Sequence, residues 1–343
     1  MNKKRSAPTM KDVAQEAGVA LGTVSKVFNG LPVGESYKKK VEEAAKKLGY
    51  QVNNYARGLR TSRTNTVALI LPTVTHPFFG ALAEHVSRAL RVRGCRTLLE
   101  TTDLNHDVEQ ECVNMVQQNK VDGIIGLTYH PSLQVDENLP FVSIDRPFSP
   151  GVPCVASDNF GGGQLAAQTL TDLGCKRLLV LQQTVQTPGE VDKRRLGFNA
   201  WCETNGVEYT CLHAYENKDD PEQWSTFWRF LEEHMAGNAP EYDGIFCCTD
   251  HLAVHTCRKL RRLGLRVPEQ VQVIGFDGLQ QFGGENYYCS TIAQPVKEMA
   301  ELAVDLLLNP DRSKLPVQIY LPVSYQPGGT TRDGGENPWP VSI

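Results

Sequence analysis

The sequence predicts a small all-α helix-turn-helix head followed by a bilobal α/β body built from two doubly wound parallel sheets. Three observations carry that expectation. Near residue 65, short amphipathic helical patterns give way to near-continuous apolar runs that alternate with longer amphipathic ones. Charge changes sign at the same place. Residues 1–63 hold 13 Lys and Arg against 5 Asp and Glu, a net of +8; the chain totals 35 and 39, so residues 64–343 hold 22 and 34, a net of −12. At 343 residues the chain exceeds one ordinary core, which suits a small module joined to a bilobal one. A cationic module on a larger anionic body is the distribution expected when one part grips nucleic acid and the other does something else.

In the head, Thr9 can cap a helix over about residues 10–17, with Val13, Ala14 and Ala17 inward, and Gly18 supplies the left-handed residue that ends it. A second helix over about 21–29 buries Val24, Val27 and Phe28 and turns Leu21, Gly22, Ser25 and Lys26 outward. A third, over about 36–48, buries Val41, Ala44, Ala45 and Leu48 and exposes Lys38, Lys39, Lys40, Lys46 and Lys47. Residues 51–64 are polar and basic with one weak helical turn, the composition of a linker. Beyond them, apolar runs at 66–71, 97–101, 123–127, 141–145, 178–182, 244–248 and 271–276 read as strands. Helical patterns fall near 78–92, 107–119, 160–173, 193–204, 222–235, 251–263 and 296–308. Such alternation implies parallel sheets covered on both faces. The segment from Asp333 has no periodicity and is expected to be unstructured.

Composition excludes several classes. No apolar run approaches the roughly 18 residues of a membrane span. The start, Met1-Asn-Lys-Lys-Arg-Ser-Ala-Pro, leads into a polar helix and not an apolar signal core, so a cytoplasmic location is expected. The ten cysteines are dispersed with no Cys-x-x-Cys pair, as expected of reduced, mostly buried thiols. Gly161-Gly-Gly163 lacks the lysine of a phosphate loop and the spacing of a dinucleotide loop, and reads as a hinge or tight helix start. His251 and His255 share a helix face near Cys247, Cys248 and Cys257, yet no further ligand motif makes them a zinc site; polar or cleft-lining roles are favoured, and His251 could contact a bound ligand. No Ser–His–Asp or paired-carboxylate arrangement can be assembled, so no enzyme activity, metal or cofactor is expected.

The head resembles the lac repressor family of bacterial transcription regulators. Asp12-Val-Ala-x-x-Ala-Gly-Val, Thr23-Val-Ser-Lys-Val-x-Asn29 and Val41-x-x-Ala-x-x-x-Leu-Gly-Tyr50 carry the resemblance, and Asn53-x-x-Ala-Arg-x-Leu59 continues it. In the body it extends through His76-Pro-Phe-Phe79, Pro140-Phe-Val-Ser-Ile-Asp145, Arg194-x-x-Gly-Phe198, Ile274-Gly-Phe-Asp277 and Thr291-Ile-x-Gln-Pro295, so that about residues 9–332 are covered. The resemblance implies a helix-turn-helix DNA-binding domain at 1–50, a hinge helix or linker at 51–64, a periplasmic-binding-protein-like effector and dimerisation domain at 65–332, and a disordered tail at 333–343.

It also implies roles. Leu21, Gly22, Ser25 and Lys26 would face base edges in the major groove of operator DNA; Lys26, where the family usually has Arg, lacks the bidentate fork. Leu59 would wedge into the minor groove beside Asn53 and Arg57. Phe78, Phe79, Asp145, Arg194, Thr249 and Asp277 would hold a small effector, with Asp145, Arg194 and Asp277 suited to vicinal hydroxyls and an aromatic face suited to a sugar ring. Four positions depart from the pattern: Ala20 and Gly34 replace capping hydroxyls, Val52 a proline, and Thr249 an asparagine. The expected protein is a homodimeric repressor that senses a sugar or sugar derivative. A purine or nucleoside is the second choice of effector; an enzyme and a solute-binding protein on the same bilobal body are the more distant alternatives.

Overall fold

The structure, a computed structural model, describes residues 8–28, 30–50, 64–118, 121–128, 130, 132–136, 138–147, 149–184, 189–215, 224–237, 239–281, 286–311 and 316–334. The chain divides into two compact units, Met1–Thr64 and Asn65–Ile343.

In the first unit, helix α1 (Met10–Ala17) opens on a capping box. The Thr9 hydroxyl accepts from the Asp12 amide, and the Asp12 carboxylate accepts from the Thr9 amide at 2.7 Å. Gly18, at φ 64°, ends the helix in the left-handed region, where a Cβ is strained. Helix α2 (Leu21–Phe28) and helix α3 (Glu35–Leu48) complete the bundle. Val13, Ala14, Val24, Val41, Ala44 and Ala45 form its core, and Phe28 packs on Tyr50 with ring centroids 5.4 Å apart. Gly34 starts α3 with no side-chain cap, as the departure at that position anticipates.

The second unit holds two six-stranded sheets. The first contains β1 (Thr66–Leu71), β2 (Arg96–Thr101), β3 (Gly123–Gly126), β4 (Phe141–Ile144), β5 (Cys154–Ser157) and β11 (Gln318–Leu321) in the order β2-β1-β3-β4-β5-β11, all parallel. The second contains β6 (Arg177–Thr184), β7 (Glu208–Tyr215), β8 (Gly244–Cys247), β9 (Gln272–Asp277), β10 (Ser290–Ala293) and β12 (Ser324–Gln326) in the order β7-β6-β8-β9-β10-β12, parallel except for β12. Each opens with the 2-1-3-4-5 winding of doubly wound sheets, whose ligands bind beyond the carboxyl ends of the strands at the switch point.

Helices cover both faces of each sheet. In the first lobe α4 (Pro77–Val92) and α10 (Val296–Leu308) close one core, around Leu69, Leu82, Val86 and Val304. The opposite face takes α5 (His106–Gln118) through Cys112, Val113 and Val116. In the second lobe α6 (Asn159–Asp172) and α7 (Glu190–Asn205) cover one face, and α8 (Ser225–Met235) and α9 (Asp250–Arg262) the other. The chain therefore crosses between lobes after β5, after β10 and after β11.

All ten cysteines are thiols, eight of them buried. Burial pushes Cys154, Cys175 and Cys202 up to about 12, so these thiols are poor nucleophiles. Among the described residues, no helix is long and apolar enough to cross a membrane.

Candidate functional site

The two lobes meet around a cavity of about 210 Å³, at the carboxyl ends of both sheets. Phe78, Phe79, Asp145, Arg194, Thr249 and Asp277 all border it, so the structure brings together every residue that sequence alone assigned to effector binding. Asp145 directly follows β4, and Asp277 ends β9. Both hold positive φ, 58° and 124°, as does Leu104 at 58° on the same cavity. L-residues adopt this backbone only where the surroundings enforce it, and such strain concentrates at ligand sites.

Arg194 is the centre of the network. It is 2% exposed, and its guanidinium lies 3.8 Å from the centroid of Phe276. Nε donates to Asn159 Oδ1 at 2.7 Å; Nη1 donates to the Cys248 carbonyl at 2.8 Å and to Asp277 Oδ1 at 3.0 Å. Asn159, first residue of α6, in turn donates to Asp145 Oδ1 at 3.3 Å. Gln294 donates to Asp277 at 2.8 Å and accepts from Ser157 at 2.6 Å. The chain of bonds therefore runs from β4 and β5 of one lobe to β9 of the other, through residues at two of the three crossovers. Arg194 Nη2 and the second carboxylate oxygens of Asp145 and Asp277 make no hydrogen bond among the described residues, and none is sealed from solvent. Burial raises the Asp145 carboxyl above the ordinary range, against the pull of Arg194 and the Asn159 hydrogen bond.

Close helix packing places Arg194. A Cβ on Gly163 would lie 1.9 Å from the Arg194 carbonyl oxygen, and one on Gly197 would lie 2.0 Å from the Phe160 carbonyl oxygen. The glycine triplet is thus neither a phosphate loop nor a bare hinge. Gly163 is the point where α6 and α7 touch backbone to backbone, while Gly161 sits against the Asp158 cap of its own helix, as a tight helix start requires. On its other side, α7 sends Lys193 to the Tyr320 hydroxyl of β11 at 3.0 Å, a second tie between lobes.

Three of the predicted residues have a structural share in their roles. Phe78 belongs mainly to the first-lobe core, while Phe79 is half-buried. Thr249 caps α9, its hydroxyl accepting from the Leu252 amide at 3.2 Å, so one of its lone pairs is already engaged. His251 borders the cavity and, with His255, packs on Trp224 at centroid distances of 5.5 and 5.2 Å. Sequence reasoning did not single out His76, Gln182, Asp192 or Gln294, which also line the cavity. Gln294 stands inside the quoted Gln-Pro motif and His76 inside His-Pro-Phe-Phe, signals that were present in the chain.

In the head, Leu21, Gly22 and Lys26 are exposed on one side of α2, and Ser25 is half-buried. Ala20 precedes α2 and brings no side-chain oxygen to its first turn; its carbonyl accepts from Thr23 and Val24. Asn53, Arg57, Leu59 and Val52 lie outside the described residues.

Comparison with known proteins agrees with this architecture. Residues 9–53 match bacterial regulatory proteins of the lacI family, and residues 64–306 match periplasmic binding proteins and the sugar binding domain of the LacI family. The chain is 31% identical over 325 residues to the sucrose operon repressor of Streptococcus mutans, covering 93% of this chain and 98% of that protein. It is also 31% identical over 334 residues to the ribose operon repressor of Bacillus subtilis, covering 94% and 98%. Among solved structures, the lac repressor dimer bound to operator and anti-inducer is similar in fold, with TM-score 0.78 at 20% identity over 95% of this chain and 99% of that one. The complex of the transcriptional regulator CelR with cellobiose aligns with TM-score 0.65 at 28% identity, covering 94% and 99%. The chain belongs to the lacI family of bacterial regulatory proteins: it is a ligand-responsive, DNA-binding transcription regulator and not an enzyme.

Proposed function

We propose that this regulator is a repressor that binds a near-palindromic operator as a homodimer, and that a sugar in the interlobe cavity sets its grip. One observation carries the effector class. Two carboxylate oxygens and one guanidinium nitrogen, on Asp145, Asp277 and Arg194, keep unused hydrogen-bonding capacity around one cavity beside a half-buried aromatic ring. Charge-assisted acceptors and a planar donor in such an array match vicinal hydroxyls, and Phe79 offers a face to the apolar side of a sugar ring. The names of the relatives point the same way: they are repressors of sucrose and ribose operons, and CelR is a cellobiose complex.

On DNA, Leu21, Gly22, Ser25 and Lys26 would approach base edges, with Leu21 against a thymine methyl and Lys26 on guanine O6 and N7. Asn53, Arg57 and Leu59 would read and kink the minor groove between half-sites. A two-fold dimer makes the operator near-palindromic. Lys26→Ala should cost about 1–3 kcal/mol at one base pair of each half-site; unchanged discrimination among operator variants in gel-shift titrations would remove Lys26 from readout.

Thermal-shift titration of the full-length protein against sugars and nucleosides tests the effector. A sugar should raise Tm in the wild type but not in Arg194→Ala, which itself loses about 3–5 kcal/mol because Asp277 is left buried without its cation. A shift given by nucleosides alone, or retained in full by Arg194→Ala, would overturn the assignment.

A further inference from the structure

The cavity is not closed at its outer end. Thr73, His76, Phe78, His251 and Asp277 border it and also border a second chamber of about 650 Å³. Gly80, Ala81 and Glu84 of α4 line one side of this outer chamber, and Leu279 and Gln280 line another. At about 210 Å³ the inner chamber falls below the roughly 300–1,000 Å³ usual for small-molecule sites; with the outer chamber the space comes within that range. The wall of α4 leaves room because Gly80 and Ala81 project almost nothing into it.

His76 stands at the junction. It precedes α4 without capping it, and its ring lies 5.0 Å from that of Phe79. Its Nδ1 is sealed from solvent and has no hydrogen-bond partner, so the polar edge left to a ligand is Nε2. In the neutral ring one nitrogen carries the proton. When that nitrogen is Nε2, it is a donor on a residue that borders both chambers.

Resting on the sugar reading above, we infer that the effector is a disaccharide or other glycoside and not a free monosaccharide. One ring sits in the inner chamber on Arg194, Asp145 and Asp277. The bridging glycosidic oxygen accepts from His76 Nε2–H. The second ring fills the outer chamber along Gly80 and Ala81, where Glu84 and Gln280 can meet its hydroxyls.

Calorimetric titration of the full-length protein with sucrose, cellobiose and maltose, and with glucose, fructose and ribose, tests this. At least one disaccharide should bind about tenfold or more tightly than its constituent monosaccharides, the size of one further hydrogen bond plus buried ring surface. Ala81→Trp, which fills the outer chamber alone, should erase that advantage while leaving monosaccharide binding in place; Ala81→Leu serves the same purpose if the larger side chain unfolds the lobe. His76→Ala should weaken the disaccharide about tenfold and the monosaccharides little. Equal affinity for monosaccharides and disaccharides, or a disaccharide unaffected by either Ala81 variant, would overturn the inference and leave the sugar reading standing. No heat from any of these sugars would remove both.

Discussion

At the scale of single residues, the cleft is an arrangement of charges held where water would ordinarily screen them. Asp250 shows the cost. It is 1% exposed, accepts from the Leu279 amide at 2.6 Å and from the Cys289 thiol at 3.4 Å, and neighbours Asp277. Burial first, and the Asp277 charge second, push its carboxyl up to about 7. A folded-state acid raised in this way holds more protons than the unfolded chain between the ordinary carboxylate range and about 7. Stability is therefore highest at the acidic end of that window and falls as pH rises through it. Asp250→Asn cannot titrate, so thermal unfolding between about pH 5 and pH 8 should show the wild type losing Tm relative to the variant as pH rises; a constant gap would contradict the assignment. Asp145 and Asp277 were legible in sequence through the family motifs that end on them, Pro140-Phe-Val-Ser-Ile-Asp145 and Ile274-Gly-Phe-Asp277. Gln182 and Asp192 were not, since they meet the cavity only when α7 lies across β6, as their own 2.7 Å hydrogen bond records. No local pattern encodes that juxtaposition.

At the scale of elements, the crossing of α6 and α7 decides where Arg194 points. The backbones approach until neither Gly163 nor Gly197 can take a Cβ without displacing a carbonyl. Gly163→Ala or Gly197→Ala should destabilise the body by about 1–3 kcal/mol or more, because helices must separate and cavities open. Effector affinity should fall with it. Denaturant unfolding with loss of neither would show that the crossing is adaptable. The strands that sequence reading identified are continuous apolar runs, buried except for the edge strand β2, which has no buried residue. It did not separate out β7, β11 and β12, whose residues alternate or stay partly exposed at or next to sheet edges, as in Glu208, Thr210 and His213 of β7. It also passed over β5 and β10, which carry Ser, Ala or Thr and are too polar for an apolar-run criterion. Burial there comes from neighbouring strands and not from the segment itself.

At the scale of the whole molecule, the division of charge separates two tasks. The head, net +8 through residue 63, supplies the attraction to phosphates, and the remainder, net −12, contributes none. In the body, an effector bound as proposed would act on the Asp145–Asn159–Arg194–Asp277 chain and on the lobes joined by Lys193 and Tyr320. An effector that favours one lobe arrangement must bind differently to the DNA-bound and free protein, and operator must alter effector affinity by the same factor. The most direct measurement of the central claim is a random-site duplex selection with the purified full-length protein at moderate salt. The account predicts enrichment of one near-palindromic sequence; a selected pool with no preferred sequence would contradict it.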